Sequence, residues 1–180
     1  VMNGFRTELI NKIVGFNSHI TVKSYDNNGI QRDKLDNNNL KLISKNLIFS
    51  NSGEAIILKN NTSKGIVLRG YQPEEFSKLS IIQNDKFKGE SSILEKNSIS
   101  IGNELSFSLD LKLGDKITLM SPSGVETIIG SMPKQKTFLV TSIYNSGLIE
   151  FDNNIAFINL NTLEDFFDYN SDNRNLEIYL

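Results

Sequence analysis

The sequence predicts an α+β fold built from small sheets rather than a doubly wound parallel sheet. Strand-like runs and helix-like runs are mixed along the chain without a regular β-α repeat. Short apolar runs are also set apart by Asn, Ser and Gly. The length of 180 residues further allows a real core, in one ordinary domain or two small subdomains.

Phe5, Leu9, Ile10, Ile13 and Val14 recur at helical spacing, with Asn3 placed to cap the segment and Gly15 to end it. His19 to Ser24 alternates like a strand, and Tyr25 to Asn39 is polar with an Asn-Asn-Gly turn signal. Three apolar runs, Leu47–Ser50, Ala55–Lys59 and Gly65–Gly70, then read as a small meander. Pro73-Glu74-Glu75-Phe76 starts a short helix reaching about Leu79, because proline and acids suit a first turn. A polar stretch from Gln83 to Asn97 precedes a strand at Ile99–Ile101.

Leu105, Phe107, Leu109, Leu111 and Leu113 alternate strictly, which by pattern alone is another strand. Gly114-Asp115 is a turn, Lys116–Met120 begins a strand, and Thr137–Tyr144 is its partner. The last third holds a strand at Ile155–Ile158, a helix from Asn161 through Phe167, and a strand at Leu176–Leu180.

Composition narrows the function. Lys+Arg number 19 against 21 Asp+Glu, so no strong field exists to hold nucleic acid. The absence of Cys removes thiolate zinc sites, disulfides and cysteine nucleophiles. His19 is the single histidine and sits in a β-branched run, so it reads as a strand-end residue rather than a ligand. Asp110, Asp115, Glu150 and Asp152 are the carboxylates a hydrolase would draw on, but they form no recognisable motif and suit solvated turns.

No run of apolar residues is long enough to span a bilayer. The opening Val1-Met2-Asn3-Gly4 and the closing Asn175–Leu180 read as an excised piece of a longer protein whose flanks could include membrane spans.

The most unusual segment runs from Met120 to Lys136. Pro122 and Pro133 bracket it, each withholding an N–H donor where a loop leaves or re-enters its strands. Between them Val125, Ile128, Ile129 and Met132 make the loop far more apolar than a solvated tip requires. Two readings follow from spacing: the loop projects with an apolar face for a groove on another protein, or it folds back on its own sheet.

The whole chain resembles the first periplasmic segment of the lipoprotein-releasing permeases, the LolC/LolE family. Four matches carry the resemblance in order: Val1-Met2-Asn3-Gly4-Phe5, Leu113-Gly114-Asp115-Lys116-Ile117, the proline-bracketed loop into Met132–Phe138, and Ile155–Leu160 leading to Phe166. The resemblance implies a MacB-like periplasmic core domain. Its discontinuous porter-like subdomain would comprise residues 1–80 and 155–180, and residues 81–154 would form an inserted sabre-like subdomain. It also implies a helix for Asn103 to Asp110, against the pattern.

In the LolC branch the loop, here 122–133, is the hook that enters the cavity of the periplasmic lipoprotein carrier LolA. The resemblance therefore implies carrier contact by Pro122, Val125, Ile128, Ile129, Met132 and Pro133, with Ile129 at the tip. Polar pad contacts would come from Gln135 and Lys136, and Thr118 stands where the family has a further pad arginine. LolE subunits lack this hook, so the likeness is closer to LolC or to a hybrid permease.

The implied protein is a non-catalytic part of an ABC transporter of the bacterial inner membrane, with this domain in the periplasm. It would act with the ATPase subunit LolD and a second permease subunit, on outer-membrane lipoproteins as substrate, without a cofactor. A MacB-like or cell-division permease domain that transmits force without a carrier is the alternative.

Overall fold

The computed structural model describes residues 17–24, 29–30, 35, 40–83, 85–90, 95–128 and 130–180. The amphipathic segment expected between Phe5 and Val14 lies outside them, as does most of the polar stretch from Tyr25 to Asn39.

Nine strands among the described residues form one hydrogen-bonded sheet. β2 (Asn46–Lys59) and β3 (Thr62–Tyr71) are a long antiparallel hairpin. The three short runs of the expected meander are thus merged into two strands. The hairpin turns at Asn60, whose φ of 52° suits asparagine, a residue tolerant of the left-handed region. β3 pairs in parallel with β8 (Ile155–Asn159), which pairs antiparallel with β5 (Ser98–Gly102). β5 lies parallel to β7 (Gly130–Tyr144), β7 is antiparallel to β6 (Lys116–Thr127), and β6 returns to β2 through Ile56↔Met120, Ile57↔Leu119 and Leu58↔Thr118.

The ladder therefore closes on itself as β2-β3-β8-β5-β7-β6, a small barrel in place of the two separate sheets expected. β9 (Asn175–Tyr179) takes the other half of the β2 edge beside β6, and β1 (Ile20–Val22) adds to β9 as an exposed outer strand. β4 (Lys88–Gly89) pairs with β7 at Ser142 and Ile143.

Period-2 alternation explains the closure. Ala55 and Ile57, Ile66 and Leu68, Ile99 and Ile101, Ile117 and Leu119, Phe138 and Val140, and Ala156 and Ile158 all point to one interior and are buried. Opposite-facing residues build a second core: Tyr71, Tyr144 and Phe157 pack there with Ile48 and Phe76. β8 is consequently apolar on both faces, as a covered strand must be.

Five short helices are described: α1 (Leu40–Ile43), α2 (Pro73–Phe76), α3 (Asn103–Ser108), α4 (Ile149–Asn154) and α5 (Leu160–Phe167). α2 ends at Phe76, and turns rather than helix carry the chain on to Leu79. α3 overturns the strand that alternation suggested and agrees with the helix implied by resemblance. Leu105 is buried one turn before the partly buried Leu109, whereas Phe107 between them is 86 % exposed. Leu111 is buried from the returning loop, so the run of alternate leucines is a helix and a turn in succession.

α5 closes one side of the barrel with Leu163, Phe166 and Phe167. The Asn159 side chain accepts from the N–H groups of Asn161 and Thr162 at its start. Asp168 ends it in the left-handed conformation, φ 56°. His19 is a strand-end residue: its N–H donates to the Ile178 carbonyl and its Nδ1 accepts from the Leu180 N–H.

Candidate docking arm

β6 and β7 run on past their partners as a two-stranded ribbon. The barrel seam to β2 ends at Met120, but β6 and β7 continue to pair through Gly124↔Pro133, Val125↔Met132, Glu126↔Ser131 and Thr127↔Gly130. The proline-bracketed segment is a β-hairpin arm, and neither proline stops the ladder. Pro122 sits where register shifts: Met120 faces Gln135, the next pair is Gly124 with Pro133, and Ser121, Pro122 and Ser123 stand opposite Lys134 alone. A bulge of this kind absorbs a residue that cannot donate to the ladder and bends the ribbon.

Ile128 occupies the turn and is fully exposed, at 106 % of its reference area. Met132, further down the arm, is 54 % exposed, and Pro122 and Pro133 are exposed as well. Val125 is placed by its pairing with Met132, while Ile129 lies outside the described residues. An isoleucine bare to water at a hairpin tip contributes nothing to the core formed by the described residues.

Gln135 is exposed and its Nε2 lies 4.0 Å from the Met120 Sδ across the ribbon. Lys136 is half-buried with its Nζ 5.7 Å from the centre of the Phe138 ring. Burial, followed by repulsion from Lys96, lowers its pKa from the usual lysine value. The pleat places Gln135 and Lys136 on opposite faces of the ribbon. Thr118 pairs with Thr137, their hydroxyls 3.4 Å apart.

Sequence reasoning passed over Lys134. Its Nζ donates to the Asp165 carbonyl at the end of α5 and to the Asp168 carboxylate at 2.9 Å, tying the arm to the helix. A lone lysine in a polar run carries no signal of this kind, because its partners are some thirty residues away.

The residues considered for hydrolysis are engaged in local contacts. Asp115 accepts from the Lys112 N–H and pairs with Lys59 at 3.3 Å, and these hydrogen bonds lower its pKa. Asp152 is buried and accepts from the Ser146 N–H and hydroxyl; burial raises its pKa despite those bonds. Glu150 accepts from Asn154, and the Asp110 carbonyl from Lys59. Among the described residues no group of three His, Asp or Glu is placed to hold a metal ion, and no helix is long and apolar enough to cross a membrane.

No protein-family model matches the chain. It is 27 % identical over 166 residues, 89 % of its length, to the lipoprotein-releasing system transmembrane protein LolC of Neisseria meningitidis serogroup B (strain MC58). Identity to LolC of Xylella fastidiosa (strain Temecula1) is 23 % over 169 residues, 91 % of the chain. The chain spans 39–40 % of the length of these relatives.

In structure it is similar to the extracellular domain of the ABC-type transporter YknZ from Gram-positive bacteria, at TM-score 0.52 and 13 % identity. That match covers 88 % of this chain and 82 % of the other. The periplasmic region of MacB from Actinobacillus actinomycetemcomitans matches at TM-score 0.52 and 12 % identity, over 89 % of this chain and 67 % of that one. In sequence the chain is LolC-like, and its α+β fold is similar to those of the extracellular domain of YknZ and the periplasmic region of MacB.

Proposed function

We propose that the chain is the periplasmic module of a lipoprotein-releasing permease and that its β6–β7 arm docks the soluble carrier LolA. The observation that carries this reading is Ile128, wholly exposed at the end of an arm that leaves the barrel. The likeness to LolC over nine-tenths of the chain supports it. Pro122, Val125, Ile128, Ile129, Met132 and Pro133 are the proposed hook, with Gln135 and Lys136 at its base. Residues 1–80 with 155–180, and residues 81–154, are the proposed porter-like and sabre-like parts.

The task such an arm serves is energetic. Each acyl CH₂ left in water costs about 0.8 kcal/mol, so a lipoprotein bearing several chains needs a carrier seated at its exit. An apolar tip entering the mouth of the carrier's cavity holds that mouth in place. ATP hydrolysis by a LolD-type subunit on the far side of the inner membrane supplies the free energy of extraction, and a second permease subunit completes the transporter. This domain performs no covalent chemistry in the scheme.

The fold likeness to MacB and YknZ favours one other reading, a domain that transmits force between membrane and periplasm with no carrier. Calorimetric titration of a LolA-type carrier into the 180-residue domain tests the proposal. Saturable one-to-one binding is expected, and absence of binding at high micromolar concentrations would favour the force-transmitting reading.

A further inference from the structure

We infer that Lys134 is a positioning residue, a latch that sets the angle at which the β6–β7 arm leaves the barrel; this rests on the docking role proposed for the arm. Lys134 is the β7 residue opposite the bulge, where Ser121, Pro122 and Ser123 break the register. A bulge is where a ribbon bends most readily, so the direction of everything beyond it, Ile128 included, is decided at this level.

Within the bulge Ser121 is buried against the barrel, whereas Pro122 beside it is exposed. Pro122 lies over a concavity of about 460 Å³ shared with Ser52, Gly53, Val67, Phe167 and Tyr169. It also borders a second one of about 320 Å³, lined by Ala55, Ile56, Ile66 and Val67. β6 is thus held at Ser121 but open at Pro122, and on the other strand Lys134 adds a tie to a different element. Lys134 provides it with one cation reaching two acceptors at the same helix end, the Asp165 carbonyl and the Asp168 carboxylate. The carbonyl end of a helix favours a cation, and Asp168 in its left-handed cap brings a formal charge to the same spot.

α5 is a firm anchor, since Leu163, Phe166 and Phe167 are embedded in the barrel core. The ion pair itself is exposed, Lys134 by a third and Asp168 by three quarters. Such a pair adds little to folding and is screened by salt. Its effect falls on the direction of the arm, where a lever multiplies a small angular change at the bulge into a large displacement at the tip.

The chain has no cysteine, so two spin labels can be placed without background, at Ile128→Cys on the tip and Ser63→Cys at the start of β3. Pulsed-dipolar distance distributions should be narrow in the otherwise wild-type chain. Lys134→Ala and Asp168→Asn should broaden or shift them, and Lys134→Arg should restore them. The asparagine variant keeps a residue that accepts the left-handed cap. Raising salt to 1 M should move the wild type toward the alanine variant.

In unlabelled protein, carrier affinity should fall about three- to fivefold in Lys134→Ala, with thermal unfolding unchanged and with rescue by arginine. A distance distribution that ignores Lys134→Ala overturns the latch whatever the carrier does. Failure of the wild-type domain to bind carrier overturns the docking reading instead and leaves the distance result standing. A loss of affinity that arginine does not restore would also count against the latch.

Discussion

The Arg174 guanidinium grips the Glu164 carboxylate with two parallel hydrogen bonds, Nε to Oε1 at 2.7 Å and Nη2 to Oε2 at 2.8 Å. The pair joins the solvent side of α5 to the segment that leads into β9, and the glutamate side chain is only 9 % exposed. A planar two-point contact of this kind is specific to arginine. Arg174→Lys should therefore destabilise the domain by about 1 kcal/mol, and Arg174→Ala, which leaves the buried carboxylate without its cation, by about 3 kcal/mol. Urea unfolding followed by circular dichroism measures both; a lysine variant as stable as wild type would refute the geometric account.

Gly102 gives a second prediction. It caps α3 at φ −73° and ψ 153°, a conformation open to any residue, so backbone strain is not the reason for glycine. A Cβ at this position would overlap the Asp152 carbonyl group in α4, which is backbone and cannot rotate away. Gly102→Ala should cost about 3 kcal/mol by separating α3 from α4. Thermal denaturation checks it, and an unchanged midpoint would mean that the two helices are less tightly apposed.

Two aspartates should shape the acid limb of the stability curve in opposite senses. Asp115 has its pKa lowered from the ordinary 3.8 by its bonds to the Lys112 N–H and Lys59. It contributes stability that is present above 3.8 and is lost as pH falls through the lower folded value. Asp152 has its pKa raised by burial, so the folded chain takes up that proton first. Its contribution becomes more favourable as pH falls through the folded value toward 3.8. Carboxyl NMR should place the Asp115 midpoint below 3.8 and that of Asp152 above it. Asp152→Asn, which keeps an oxygen for the Ser146 N–H, should flatten the gain that Asp152 provides on acidification.

The strands and their inward faces were legible wherever alternation was sustained over a buried surface, as in Ala55–Ile57, Ile117–Leu119 and Phe138–Val140. Closure of those strands into a barrel was not. It depends on three pairings between Ile56–Leu58 and Thr118–Met120, sixty residues apart, which no local pattern announces. The stretch from Leu105 to Leu113 misled pattern reading because a short helix followed by a turn can bury residues two apart by chance of geometry. In the arm, the surplus of apolar residues was visible in the sequence. The prolines were not the loop boundaries they resembled, because a bulge lets Pro122 sit inside a ladder and Pro133 can occupy a ladder position whose missing N–H costs little.

The last prediction concerns the tip. Ile128 is fully exposed, so Ile128→Asp should leave folding stability within about 0.5 kcal/mol of wild type. In the docked state the same side chain would lie in an apolar cavity, where an introduced carboxylate loses its hydration without gaining a partner. That penalty amounts to several kcal/mol, which is a loss of carrier affinity of more than about a hundredfold. Ile129→Asp, at the next position in the chain, should lower carrier affinity likewise. Gln135 and Lys136 occupy opposite faces of the ribbon nearer the barrel, with Lys136 resting against Phe138. Polar contacts at a wet rim are each worth about 1 kcal/mol or less, so Gln135→Ala and Lys136→Ala should each weaken binding about fivefold or less. Titrating a LolA-type carrier against all four variants, with circular dichroism as the folding control, orders the effects. Undiminished affinity in Ile128→Asp and Ile129→Asp would remove the tip from the interface, and alanine variants that lose more than the tip variants would move the contact to the base of the arm.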